Sequence, residues 1–174
     1  MVSRYVFLGH YVTNRNFGDA LGLLLIRELN INAGKAIPQR NSFDFLYKRG
    51  INLQFVGSTL SDTDKNSIII GAGAVSSDAR IKEQPLMVYS VRGPLTRNLL
   101  LNQGVDCPEV YGDPAVLLPT LYKPVVEKKY KIGLIPHYVD QDKPQVKKLS
   151  ENKDMHLIDI LLSPNRGRPA IYRE

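Results

Sequence analysis

Short apolar runs bounded by Gly, Pro, Asn or Asp alternate along this chain with stretches of helical character. Tyr5-Val6-Phe7-Leu8 is rich in β-formers and stops at Gly9. A polar loop from Thr13 to Gly18 then leads into an apolar stretch from Ala20 to Leu29. Asp19 stands where a carboxylate can accept the orphan N–H groups of a helix start, which predicts it as the N-cap. Asn52 to Ser58 predicts a second strand, and Ile68-Ile69-Ile70 a third that closes on Gly71-Ala72-Gly73. Leu86 to Val91 predicts a fourth, after which Pro94 fits a first helical turn, where a missing N–H is tolerated. The helix through LTRNLLLNQ should end at Gly104. Further short strands are predicted near Val110, over Lys131–Ile135 and over His156–Leu161, with KPVVEKK as a polar connection. Strands alternating with helices argue for an α/β chain: a Rossmann-like parallel sheet with helices on both faces.

Composition narrows the picture. With 174 residues there is room for one domain, or one and a fragment of a second. The 43% hydrophobic and 23% charged content excludes a mostly disordered chain. The single cysteine, Cys107, cannot form an internal disulfide, so a reducing compartment and a cytoplasmic location are expected. The apolar runs fall far short of the roughly 20 residues that cross a bilayer, and MVSRYVFLGHYV lacks the features of a secretory signal. His10, His137 and His156 with one cysteine make no metal-ligand cluster, so no metal is expected. A net charge of +6 suits anionic ligands, whereas the scattered tyrosines form no stacking platform and nucleic acid is not expected.

In parallel sheets ligands bind at the carboxyl ends of the strands, so polar residues just past an apolar run carry weight. Asn16-Phe17-Gly18-Asp19 can expose backbone N–H groups to an anion, although a plain loop with an Asp cap explains the same letters. Gly71-Ala72-Gly73-Ala74 is no dinucleotide fingerprint, because Ser76 stands where a third Gly is needed, and a tight turn accounts for it equally. Arg92 follows a strand and Arg97 lies about one turn into the next helix; both suit forked recognition of carboxylate or phosphate, or simply a surface. His137 follows another strand and can act as acid, base or anion donor, or be structural. Asp113-Pro114 reads as a turn in which Asp113 bonds nearby backbone. Cys107 has no His neighbour in sequence and makes a poor nucleophile.

Together these pieces are more specific than any one of them. NFGDAL at Asn16–Leu21, SVRGPLTR at Ser90–Arg97, YGDPAVLLP at Tyr111–Pro119 and IGLIPHYVD at Ile132–Asp140 resemble, in order, motifs of the polysaccharide pyruvyl transferases, especially the exopolysaccharide-biosynthesis branch. The likeness runs from about residue 4 to about residue 161. It implies a GT-B-like fold of two Rossmann-like domains, with residues 1–125 as the first and 126–174 as the start of the second. It implies transfer of an enolpyruvyl-derived group from phosphoenolpyruvate, without a cofactor, to a sugar of a glycan or its lipid-linked precursor. Peripheral association with a membrane-bound acceptor and a homo-oligomer are compatible with that role.

Carried over by position, Asn16, Gly18 and Asp19 match the family's N-terminal glycine-and-acid loop. Arg92 resembles the arginine presented to the donor, with Arg97 as a second cation. Asp113 matches the GDP-type turn, and His137 the histidine of the second-domain strand. On this reading His137 does proton work, and Asp19 acts as base toward the acceptor hydroxyl or as a helix cap. Family members are longer and carry a Ser-x-x-His-Gly type segment that nothing after Ile160 matches. The chain is therefore expected to be a truncated member, inactive alone, with SPNRGRPAIYRE as a divergent tail. The competing readings are a non-catalytic remnant and a sugar-nucleotide glycosyltransferase of GT-B architecture.

Overall fold

The computed structural model describes residues 6–8, 17–29, 37–38 and 51–161. They group into two compact units, one built from β1 (Val6–Leu8) and the stretch Gly18–Tyr122, the other from Phe17 and the described residues from Lys123 onward. Along the chain β1 is followed by α1 (Phe17–Glu28), β2 (Ile37–Pro38), β3 (Ile51–Gln54), β4 (Ser67–Ile70), β5 (Met87–Ser90) and α2 (Pro94–Leu101). A 3-10 turn over Pro114–Leu117 runs into the single-turn α3 (Leu118–Leu121).

The strands of the first unit form one parallel sheet in the order β2-β1-β3-β4-β5. Leu8 pairs with Leu53, Leu53 with Ile68, and Ile69 with Val88. The order of connection reverses between β1 and β3, the kind of switch point at whose carboxyl side open α/β sheets bind ligands. Expectation and structure agree here on an α/β chain with a parallel sheet.

Side-chain periodicity explains the packing. In α1, Leu21, Leu24 and Leu25 recur at three- and four-residue spacing and are buried. In α2, Thr96 and Leu100 do the same one turn apart, while Leu95 stays 83% exposed. Ile69, Val88, Val91, Leu100, Val105 and Cys107 close into one apolar cluster with Leu60 and Ala72. Some of the buried polar groups of this unit bond one another. Asn52 Nδ2 donates to Ser67 Oγ at 2.9 Å, and Ser67 Oγ donates to Asp64 Oδ1 at 2.8 Å.

Three expectations change. Helix α1 starts at Phe17, so Asp19 lies in its first turn rather than at the N-cap. An acidic residue is favoured in the first turn as well as at the cap, and helix starts read from sequence are uncertain by a residue or two. Strand β3 stops at Gln54 instead of reaching Ser58, because the chain turns through Gly57, whose φ is +111°. The strand near Val110 shrinks to a bridge between Val91 and Tyr111, closed by Val91 N–H to Val110 O at 3.1 Å.

The second unit is a small β-α-β arrangement. Strands β6 (Ile132–Leu134) and β7 (Met155–Leu157) pair in parallel, connected through a 3-10 turn at Tyr138–Asp140 and α4 (Pro144–Ser150). Lys147 and Lys148 in the last turn of α4 complement its dipole. Strand β7 ends short of the predicted Leu161, and Ile158 N–H bonds Leu134 O at 2.8 Å. Among the described residues no helix is long and apolar enough to cross a membrane.

Candidate functional site

The carboxyl ends of β3, β4 and β5 bring together four residues separated in sequence: Ser58, Gly73, Arg92 and Asp113. Arg92 leaves β5 and is anchored by its own N–H, which bonds Ala72 O at 3.1 Å. Its Nη1 donates to Ser58 Oγ at 3.0 Å. Its Nε lies 3.3 Å from Asp113 Oδ2, a charge contact rather than an aligned hydrogen bond, since Nε has no hydrogen-bond partner. The Arg92 side chain is 37% exposed, and among the described residues its Nη2 has no protein partner. The result is a guanidinium held on two nitrogens and open on the third.

Asp113 serves two neighbours at once. Oδ1 accepts from Ala115 N at 2.9 Å, which caps the 3-10 turn behind it, while Oδ2 faces Arg92. The expected local backbone bond of Asp113 is therefore present, and the ion pair is added to it. The carboxylate offsets part of the arginine's charge, so anion recognition here would rest on donor geometry more than on net field.

The Gly71-Ala72-Gly73 run after β4 makes this packing fit. At Gly71 φ is +79°, and a Cβ would overlap Pro114 Cδ and stand 2.7 Å from Gly112 O. At Gly73 a Cβ would stand 2.8 Å from Arg92 Cζ. One glycine admits the Gly112-Asp113-Pro114 turn, and the other admits the guanidinium. Both belong to a close-packed floor, beyond the tight-turn role that the letters suggest.

Arg97, the second arginine of SVRGPLTR, is placed differently. Its Nε donates to Cys107 O at 2.9 Å and its Nη1 lies 3.3 Å from Glu109 Oε1. Those contacts tie α2 to the loop after it, and none of them joins Arg97 to Arg92. Burial pushes the Cys107 thiol above its usual range despite the nearby Arg97 charge, which agrees with its reading as a poor nucleophile.

His137 lies in the second unit and is exposed. Its Nδ1 accepts from Val139 N at 3.4 Å, and its ring tilts against Tyr138 with centroids 4.3 Å apart. Nearby, Lys143 Nζ holds Asp140 Oδ1 at 2.6 Å and lowers the carboxyl's pKa by that hydrogen bond. Gly18 is half-buried in the first turn of α1. Asp19 shares that turn, its side chain lies outside the described set, and Asn16 lies outside the described residues altogether. Among the described residues no group of three His, Cys, Asp or Glu could hold a metal ion.

Sequence reasoning passed over Ser58. The rule of polar residues just past a strand applies to it, but the predicted strand ran through Ser58 and hid it.

A family model described as polysaccharide pyruvyl transferase matches residues 16–171. The match continues past Leu161 into SPNRGRPAIYRE, the ending set apart above as a divergent tail. "Uncharacterized protein L143" of Acanthamoeba polyphaga mimivirus is 29% identical over 161 residues, covering 89% of this chain and 53% of that protein. The chain thus spans about half the length of the curated relative it matches. No solved structure matches it significantly.

Proposed function

The chain belongs to the polysaccharide pyruvyl transferase family, and from that premise we propose that its first unit holds the phosphoenolpyruvate of a pyruvyl transfer to a sugar. The observation that carries this reading is the Arg92 guanidinium, fixed by Ser58 and Asp113 yet open at Nη2. Phosphoenolpyruvate presents a phosphate and a carboxylate, and a planar guanidinium grips either one in a fork.

The chemistry then needs three further events. An acid delivers a proton to the methylene carbon, leaving positive charge at C2. A sugar hydroxyl attacks C2 and gives up its proton to a base. A second hydroxyl of the same sugar displaces the phosphate, which leaves as inorganic phosphate carrying that hydroxyl's proton, so that C2 becomes a ketal carbon. His137 is the proposed acid and Asp19 the proposed base. Gly18, beside Asp19 in the first turn of α1, and Asn16 are proposed as further substrate-binding residues. Arg97 would join the donor site only by exchanging its contacts with Cys107 and Glu109. The acceptor would be a glycan or its lipid-linked precursor on the cytoplasmic side, and the fold family would be GT-B-like.

Product analysis tests this directly. The 174-residue protein and a form extended to the length of its relative are each incubated with labelled phosphoenolpyruvate and a glycan acceptor. Label retained in an acid-labile ketal supports the reading. Transfer from a nucleotide sugar instead would make the protein a glycosyltransferase, and no transfer by either form would leave a binding remnant.

A further inference from the structure

We infer that Ser58 is a positioning residue for Arg92, acting with Gly73, so that the guanidinium is set in place before an anion arrives. The inference rests on the donor-site reading above and adds two residues to it.

Three strand ends define where the guanidinium sits. Ser58, past the end of β3, accepts from Nη1 at 3.0 Å. Asp113 faces Nε from one side at 3.3 Å. Gly73, past the end of β4, lies so close beneath that a Cβ would be 2.8 Å from Cζ and 2.9 Å from Nη1. An unrestrained arginine loses side-chain freedom each time it grips a ligand. One already seated on a hydroxyl, a carboxylate and a glycine floor loses much less, and binds more tightly for the same contacts.

Ser58 is the distinctive member of this set. Asp113 would keep its capping bond to Ala115 N whatever Arg92 did, so its presence is explained without the arginine. For Ser58, the only described side-chain hydrogen bond is the one to Arg92. Gly73 has no positive φ to explain it either, since its backbone is one that alanine can adopt. What an alanine there would meet is the mobile end of Arg92, which can give way. Gly73→Ala should therefore move the guanidinium without unfolding the protein.

The test compares Ser58→Ala, Ser58→Thr, Gly73→Ala and Arg92→Ala with the parent chain. Phosphoenolpyruvate affinity is measured by calorimetry, and the Arg92 Nε–Hε resonance is followed by NMR without ligand. The expected result is a loss of about three- to tenfold in affinity for Ser58→Ala and for Gly73→Ala, with recovery to within about twofold in Ser58→Thr. The Arg92 signal should shift and show freer rotation in Ser58→Ala while the melting temperature stays near that of the parent. An unchanged signal in Ser58→Ala overturns the inference, as does a loss of affinity that Ser58→Thr fails to restore. Unchanged affinity in Ser58→Ala beside a large loss in Arg92→Ala overturns it too, and leaves the donor-site reading standing. If Arg92→Ala binds phosphoenolpyruvate normally while Ser58→Ala still frees the guanidinium, the donor-site reading fails and the positioning role stands.

Discussion

Gly73 and Arg92 are in contact in a way that only glycine allows: a Cβ on Gly73 would stand 2.8 Å from the Arg92 Cζ. The two residues follow adjacent parallel strands, β4 and β5, whose register slips between Ile69 and Ile70. Backbone bonds tie the strand ends together, with Gly71 N–H to Ser90 O at 2.9 Å and Arg92 N–H to Ala72 O at 3.1 Å. Arg92 is thus seated by main chain as well as by side chains, and that makes its removal informative.

Replacing Arg92 with Ala should weaken phosphoenolpyruvate binding by roughly 10- to 150-fold, because a hydrogen bond to a charged group contributes on the order of 1.5–3 kcal/mol. Arg92→Lys should recover only part of that, since an ammonium cannot reproduce a fork. Both variants should fold, as the side chain is 37% exposed. Titration calorimetry with a parallel melting curve decides the matter, and an unfolded Arg92→Ala would make the residue structural.

Gly71→Ala should behave in the opposite way to Gly73→Ala. A left-handed φ of +79° and an overlap with the Pro114 ring and the Gly112 carbonyl leave no mobile neighbour to yield. The left-handed backbone costs an L-residue roughly 1–2 kcal/mol and overpacking roughly 1–3 more. Urea unfolding should therefore show a loss of at least about 2 kcal/mol for Gly71→Ala and little change for Gly73→Ala. Equal effects at the two glycines would contradict the packing described.

Gln54 ends β3 with its side chain fully buried, and among the described residues neither its Oε1 nor its Nε2 has a hydrogen-bond partner. Such a group costs on the order of 1–3 kcal/mol to bury. Gln54→Met keeps the shape and removes the amide, so it should raise the unfolding midpoint in urea by an amount of that order. A lower midpoint would mean that the amide is satisfied in solution.

Asp140 should titrate below the ordinary carboxylate range, principally because Lys143 donates to it. A carboxyl whose folded pKa lies below its unfolded value favours the folded state above the unfolded pKa, and that contribution disappears as pH falls through the folded one. The turn at Tyr138–Asp140 should accordingly loosen on acidification. Removing the donor with Lys143→Ala should move the Asp140 midpoint upward in an NMR titration. An unmoved midpoint would assign the shift to other charges.

The strand–helix alternation, the parallel sheet and the family were legible in the sequence because their causes are local. An apolar triplet such as Ile68-Ile69-Ile70 ends at a glycine, and Pro94 opens a helix, whatever the rest of the chain does. Motifs like SVRGPLTR are likewise read along the chain. Local letters point to Asp19 as the cap of α1, whereas the helix begins at Phe17, because an acidic residue is favoured both at the cap and in the first turn. Nor could they rank the two arginines, which look alike five positions apart. Tertiary structure gives them different partners: Arg97 bonds Cys107 O and faces Glu109, whereas Arg92 meets Ser58, 34 residues away, and keeps one nitrogen open. Periodicity is a property of neighbouring residues, but which donor meets which acceptor depends on the strand ends that the folded sheet sets side by side.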